Sequence, residues 1–252
     1  MNHIHKAEFE FNGKKFELNS IFSGMQRFTT IDFPKKTAIT LFTGGCNFRC
    51  VYCHNPDLVF PERIKYLDTK EIVNFLIKRR NLIEGVVICG GEPSIHSNLI
   101  AWIRFLKELG YKVKLDTNAT NKKLISQVIE EKLVDYFAID YKASLENYEK
   151  IVARKVDTKT IFENIKTIVD SGIEYEIRTT IHNAFFSKED ITQMIMELKS
   201  IGVENYFLQS YKEPAETVGN ITENGIGSTE LIQGFNGVLT EKFSKTGLRN
   251  VD

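Results

Sequence analysis

Apolar and polar residues alternate in Ala7-Glu8-Phe9-Glu10-Phe11 and again in Lys14-Lys15-Phe16-Glu17-Leu18, with Asn12-Gly13 between them. Both turn residues tolerate positive φ, so the pattern predicts an N-terminal β-hairpin, followed by a connecting loop through Pro34. From about Thr37 the pattern changes. Short apolar, β-rich runs at 38–43, 85–89, 112–116, 136–140, 175–181 and 206–209, several of them apolar almost throughout, alternate with amphipathic stretches near 69–80, 98–109, 122–132, 159–171 and 188–200. Runs of the first kind suit parallel strands covered by helices. The second kind reads as helix: Ile72, Phe75 and Leu76 make an apolar stripe, and Arg79 and Arg80 follow at the C-terminal end. Gly110, Gly172 and Gly202 each stand where a helix should stop.

Successive β-then-α units with right-handed crossovers give a doubly wound sheet or a barrel. No Gly-x-Gly-x-x-Gly follows the first strand of the series, which disfavours a Rossmann dinucleotide site. Six units fall two short of a complete eight-fold barrel. The expected fold is therefore α/β: an open, partial (β/α)6 TIM-like barrel with an N-terminal β-hairpin, its lateral gap available to a large substrate. The expected organisation is 1–36 for the hairpin and connecting loop, 37–213 for the barrel, and 214–252 for a loop and a C-terminal helix packed on the barrel. That helix is expected over 229–243, with Gly234 and Gly237 weakening it by about 1 kcal/mol each.

Composition narrows the class. The 252 residues carry 33 Lys+Arg against 33 Asp+Glu, a formal net charge of zero, which argues against a polybasic nucleic-acid binder. No apolar run approaches the roughly 20 residues that span a bilayer, and the N-terminal stretch lacks the apolar segment and cleavage site of a secretory signal. A cytoplasmic protein is expected, in which cysteines are poor candidates for disulfides. Three of the four cysteines fall between Cys46 and Cys53.

The segment Gly44-Gly45-Cys46-Asn47-Phe48-Arg49-Cys50-Val51-Tyr52-Cys53-His54 holds several overlapping motifs. Cys50 to His54 matches the C-x-x-C-H of haem attachment, a chemistry of exported proteins. Cys50 and Cys53 form a thioredoxin-like C-x-x-C, which has no use for Cys46. With His54 the three cysteines could make a Cys3His zinc site, although His54 adjoins Cys53 where zinc ligands are usually spaced by two residues or more. Three thiolates without a good fourth ligand suit a [4Fe–4S] cluster with one iron left open. Cys89, within an apolar strand, reads as a small core residue.

The Cys46, Cys50, Cys53 spacing with Tyr52 before the third cysteine resembles the signature of the radical S-adenosylmethionine (SAM) superfamily. In barrels the site gathers at the C-terminal ends of strands, and these ends carry further matches. Cys89-Gly90-Gly91-Glu92-Pro93 resembles the superfamily's Gly-Gly-Glu-Pro motif, in which backbone and the Glu92 carboxylate would receive the amino group of SAM; the two glycines allow close backbone approach to a ligand. Asp116-Thr117-Asn118-Ala119 and Asp140-Tyr141-Lys142 look like motifs of glycyl-radical-enzyme activating proteins. There Asp116, Thr117 and Asp140 would help hold the SAM carboxylate region and a monovalent cation, with Lys142 and Arg178 making further contacts. Ala119 stands in place of the usual Gly and Tyr141 in place of Leu, which bears on loop shape. Period-two alternation places Glu176, Arg178, Thr180 and His182 on one strand face. His182 reads equally as structural or substrate-side, and Gln209 and Tyr211 have only their strand-end position to recommend them.

The opening Gly24-Met25-Gln26-Arg27-Phe28-Thr29-Thr30-Ile31-Asp32-Phe33-Pro34, leading into Phe42-Thr43-Gly44-Gly45-Cys46, is similar to the activating proteins of anaerobic ribonucleoside-triphosphate reductase. The resemblance spans roughly 23–211. It implies a radical SAM oxidoreductase with a [4Fe–4S] cluster and SAM as cofactors. An external one-electron donor such as flavodoxin or ferredoxin would reduce the cluster, SAM would be cleaved reductively, and the resulting radical would take a hydrogen atom from a glycine of a partner glycyl-radical enzyme, with no nucleic acid or membrane involved. Another radical SAM enzyme acting on a small molecule, such as 7-carboxy-7-deazaguanine synthase, would share every SAM residue. An electron carrier or zinc-binding adaptor is the non-enzyme alternative.

Overall fold

The computed structural model describes residues 6–212, 216–221 and 227–251. The chain divides into two compact units: Met1–Asn47, Asp57–Thr117 and Lys123–Phe137 in the first, and Phe48–Pro56, Asn118–Lys122 and Ala138–Asp252 in the second.

In chain order the first unit holds strands β1 (Lys6–Phe11), β2 (Lys14–Asn19), β3 (Phe22–Thr29) and β4 (Ala38–Thr43), then helices α1 (Pro56–Val59) and α2 (Thr69–Arg79). After these come β5 (Gly85–Gly90), α3 (Leu99–Glu108), β6 (Lys112–Thr117) and α4 (Lys122–Glu130). β1 and β2 form the expected antiparallel hairpin, with Asn12 and Gly13 at φ of 50° and 74°. The hairpin is fixed by α3. Phe16 meets Phe105 edge-on at 5.2 Å between centroids, and the Trp102 indole N–H donates to the Asn19 carbonyl at 2.9 Å.

The connecting loop expected through Pro34 instead contains β3, which runs antiparallel to β4. Its register slips twice, between Phe22 and Gly24 and between Gln26 and Thr29. Each slip resets which face a side chain occupies, so the strand leaves no period-two trace in the sequence. β4, β5 and β6 are parallel, in the order β3-β4-β5-β6. Ile39, Leu41, Val86, Val87, Ile88, Val113 and Leu115 form their buried filling. Cys89 is partly buried and packs on Phe33, Ala38 and Val87, as a small core residue would.

The second unit takes the end of β7 (Tyr136–Asp140), then α5 (Tyr148–Val152), α6 (Thr158–Asp170), β8 (Glu174–Ile181), α7 (Lys188–Ser200), β9 (Asn205–Ser210), α8 (Ser228–Gln233), α9 (Asn236–Lys242) and β10 (Lys245–Arg249). Its strands lie in the order β7-β8-β9-β10, with β8, β9 and β10 parallel. α7 opens on a capping box in which the Ser187 hydroxyl and the Asp190 carboxylate each satisfy the other's backbone N–H. Gly110, Gly172 and Gly202 take φ between 73° and 90°, the left-handed helix stops foreseen for them.

The single helix expected over 229–243 is two short helices that part at Gly234-Phe235. β10 follows them as a further parallel strand, in a stretch where none was expected. Parts of the expected 214–229 loop, residues 214–215 and 222–226, lie outside the described residues. Among the described residues no helix is long and apolar enough to cross a membrane.

Candidate functional site

In the first unit the candidate residues gather where β4, β5 and β6 end. Gly90 has φ of 116°, and a Cβ on Gly91 would collide with the Gly45 carbonyl oxygen and crowd that of Leu58. The close approach recorded at this glycine pair is thus to the chain's own backbone. The Gly91 N–H donates to Thr43 (3.0 Å), the Glu92 N–H to Gly45 (2.8 Å) and the Gly45 N–H to Leu58 (2.7 Å). This mesh sets the backbone that enters Cys46. Gly91→Ala is expected to lower unfolding stability by about 1–3 kcal/mol, as for an overpacked core site. Denaturant unfolding of the variant checks it, and an unchanged midpoint would show that the mesh yields freely.

Glu92 is 1% exposed, and its Oε1 accepts from the Ser94 N–H at 3.0 Å and the Thr117 hydroxyl at 2.7 Å. Two residues matched separately to the family's motifs are therefore joined. Asp116 pairs with Lys114 at 2.6 Å, a lysine 2% exposed whose ammonium lies 6.0 Å from the centre of the Tyr136 ring. The sequence reading passed over Lys114. Its position two residues before Asp116, hence on the same strand face, was the available signal.

In the second unit the cysteine loop is held from both sides. The N–H groups of Arg49 and Val51 donate to the carbonyls of Val152 (2.9 Å) and Ile151 (3.1 Å) at the end of α5. These are carbonyls that a helix end leaves without an internal partner. The carbonyls of Cys53 and Val51 accept from the N–H groups of Val218 (2.8 Å) and Gly219 (3.0 Å). Tyr52 is buried, donates its hydroxyl to the Lys142 carbonyl at 3.4 Å, and lies among the rings of Phe185, Phe186 and Tyr211.

Beside it runs a chain of alternating charges. Arg249 grips Glu176 with two hydrogen bonds (3.2 and 2.8 Å), Glu176 stands 3.5 Å from Arg178, Arg178 donates to Asp140 at 2.7 Å, and Asp140 stands 3.3 Å from Lys142. Arg249 also lies over the Phe207 ring at 4.2 Å. Three of these five, Asp140, Lys142 and Arg178, were picked from the sequence. Glu176 was placed on the right face without a role, and Arg249 was missed because its strand was. Burial disfavours the Asp140 charge, but Arg178 and Lys142 more than offset it and hold the carboxyl well below its usual range. Lys142 is shifted up: burial opposes its charge and Asp140 outweighs it.

The two departures from the family's motifs have structural answers. Ala119 adopts φ of 59°, the left-handed conformation that glycine takes most readily. Asn164 helps fix it by donating to the Ala119 carbonyl at 2.8 Å. Tyr141 is fully buried and donates to Glu197 at 2.6 Å, which satisfies the hydroxyl a leucine would lack. His182 is fully buried, accepts the Ala184 N–H at 3.1 Å on Nδ1, and packs on Phe185 and Tyr211.

The sequence model of the radical SAM superfamily matches residues 40–185. The chain belongs to the radical SAM superfamily. It is accordingly an enzyme of that superfamily. A protein of Methanocaldococcus jannaschii named as a glycyl-radical enzyme activating enzyme is 33% identical over 203 residues, 77% of this chain and 81% of that protein. A second of the same name and organism is 27% identical over 209 residues, 82% of this chain and 76% of that protein. A protein of Saccharolobus solfataricus named as a GTP 3′,8-cyclase is 33% identical over 139 residues, 54% of this chain and 44% of that one. Among solved structures, Streptococcus suis SuiB bound to S-adenosylmethionine shares the fold with a TM-score of 0.64 at 15% identity, over 81% of this chain and 47% of that one. A domain of pyruvate-formate lyase-activating enzyme from Bacteroides vulgatus matches with a TM-score of 0.51 at 21% identity, over 66% of this chain and 98% of that one.

The donor set fits the cluster of a radical SAM enzyme. Cys46, Cys50 and Cys53 form no disulfide, and burial pushes the Cys50 thiol up to about 11, with Lys142 partly countering it. A thiol so placed is protonated at neutral pH and gives up its proton when it takes a metal. Among the described residues no group of three or more His, Cys, Asp or Glu side chains is gathered as a metal site. The case for a cluster rests on the three thiols and their spacing.

Proposed function

We propose that this radical SAM enzyme is an activating enzyme that cleaves S-adenosylmethionine reductively at a [4Fe–4S] cluster and installs a glycyl radical on a partner enzyme, anaerobic ribonucleoside-triphosphate reductase. The observation that carries the reading is the triplet of cysteines outside any disulfide, with Cys50 buried beside Lys142. The relatives named as glycyl-radical enzyme activating enzymes supply the partner class.

Cys46, Cys50 and Cys53 would hold three irons of the cluster. When bound, the cluster supplies the electron, received from an external donor such as flavodoxin or ferredoxin, that breaks the sulfonium bond of SAM. The chain's own residues bind and orient. Gly90, Gly91 and the buried Glu92 carboxylate would take the amino group of SAM, and Thr117 fixes that carboxylate by donating to it. Lys142 and Arg178 supply cationic groups for a carboxylate, held in place by Asp140. Tyr52 and its aromatic neighbours exclude water from the third cysteine's approach. A monovalent cation near Asp116, Thr117 and Asp140 belongs to the same reading; it would share carboxylates that Lys114, Lys142 and Arg178 already engage.

A small-molecule substrate is the second reading, favoured by the match to a protein named as a GTP 3′,8-cyclase. One experiment separates them. The protein is loaded anaerobically with iron and sulfide, reduced with dithionite, and given SAM with either an anaerobic ribonucleotide reductase or GTP. The expected outcome is a glycyl-radical signal in the electron paramagnetic resonance spectrum of the reductase and no loss of GTP. SAM cleavage with GTP consumed and every tested glycyl-radical enzyme left diamagnetic would replace this reading with the second.

A further inference from the structure

The hydrogen bonds that reach the cysteine loop from Val218 and Gly219 come from a stretch beyond residues 40–185, the part matched to the radical SAM superfamily. This stretch is itself a built turn. Thr217 is 5% exposed, its hydroxyl accepts the Ile221 N–H at 3.0 Å, and its carbonyl accepts the Asn220 N–H at 3.1 Å, with Asn220 at φ of 49°. The turn thereby points the Val218 and Gly219 N–H groups at the carbonyls of Cys53 and Val51. Gly219 is solvent-exposed, yet a Cβ there would stand 2.5 Å from the Val51 carbonyl oxygen and 2.9 Å from the Val51 Cα. Glycine is required at that position by the loop it touches, not by its own conformation.

We propose that residues 217–219 form a strap that holds the cysteine loop in the shape that accepts the cluster, with Gly219 as its positioning residue; the inference rests on the cluster reading above. With the N–H groups of Arg49 and Val51 on the end of α5 and the carbonyls of Val51 and Cys53 on the strap, the peptides that follow Phe48, Cys50, Val51 and Cys53 are each held by a hydrogen bond. A loop left free would lose backbone entropy on metal binding, about 1–2 kcal/mol for each residue fixed. A strapped loop loses that freedom when the chain folds, so less of the metal's binding energy goes into ordering it.

The test uses Val218→Pro, which deletes the N–H that reaches Cys53, and Gly219→Val, which presses on Val51. Gly219→Ala serves as a milder form, and Gly237→Ala, whose added methyl meets nothing within 4 Å, is the control. The first readout needs no metal: the rates at which iodoacetamide alkylates Cys50 and Cys53 in the metal-free protein, resolved by mass spectrometry. Loss of one hydrogen bond is expected to speed both roughly five- to ten-fold, through more frequent local opening. The milder variant should fall between wild type and Gly219→Val. The second readout is iron retained through desalting after anaerobic loading, which should fall in the same order. Far-UV circular dichroism and the thermal midpoint should match the control. Wild-type alkylation rates in both Val218→Pro and Gly219→Val would overturn the strap, as would a gain confined to variants that have lost global structure. If the wild-type protein retains no iron at all, the cluster reading fails, while the alkylation rates still judge the strap.

Discussion

Replacing Cys50 with alanine is expected to abolish SAM cleavage while leaving the protein folded. Cys50 is 8% exposed and contributes one sulfur to the packing of its loop. Its removal should cost about 1 kcal/mol of stability, a small-cavity effect, against the 5–15 kcal/mol typical of a whole domain. The backbone contacts of the loop are made by Arg49, Val51 and Cys53 and survive the change. A [4Fe–4S] cluster held by three thiolates has none to spare, so the loss should be complete rather than graded. Cys89→Ala is the matched control: it removes a thiol that packs on Phe33, Ala38 and Val87 and should leave cleavage intact. The measurement is SAM consumption by iron-loaded, dithionite-reduced protein, followed by chromatography. Cleavage at a normal rate in Cys50→Ala would dismiss the three-thiolate assignment.

The second large effect is at Asp140. Asp140→Asn removes the one anion between Arg178 and Lys142 and leaves two cations facing each other in a mostly enclosed space. Breaking a buried pair by deleting one partner costs about 3–5 kcal/mol, and the low end is expected here because all three side chains keep some exposure. Denaturant unfolding at pH 7 should show that loss. The same carboxylate gives the wild type a distinctive acid response. Its folded pKa lies below the unfolded value of about 3.9, so its stabilisation is complete above about pH 5 and is lost as pH falls through the folded pKa. Asp140→Asn has no such group to protonate. The stability gap between the two proteins should therefore narrow on acidification, and a gap constant from pH 7 to pH 3 would show that the carboxylate's charge is not what matters.

Why the sequence was legible in some places and opaque in others follows from where the energy lies. β4, β5 and β7 were legible because they are buried almost throughout, and burial on both faces forces continuous apolar runs. β3 was hidden by its two register slips, and β10, with Gly247 at its centre, by shortness and lack of a pattern. Among candidate site residues, those proposed to contact a ligand by side chain lie in motifs and so can be named: Cys46, Cys50, Cys53, Glu92, Asp116 and Asp140. The residues that position them cannot. Glu176 and Arg249 are partners across three neighbouring strands, and Val218 and Gly219 act through backbone N–H groups, which every residue but proline possesses.

The strap also sets a clock. Val218 and Gly219 are translated about 8–30 s after Cys53 at ordinary elongation rates. Throughout that interval Cys50 and Cys53 exist on a nascent chain whose loop carbonyls have nothing to accept from, and Arg249, which anchors Glu176, is made later still. A newly made protein thus passes through a stage in which the thiols of the loop are already present and the framework around them is not.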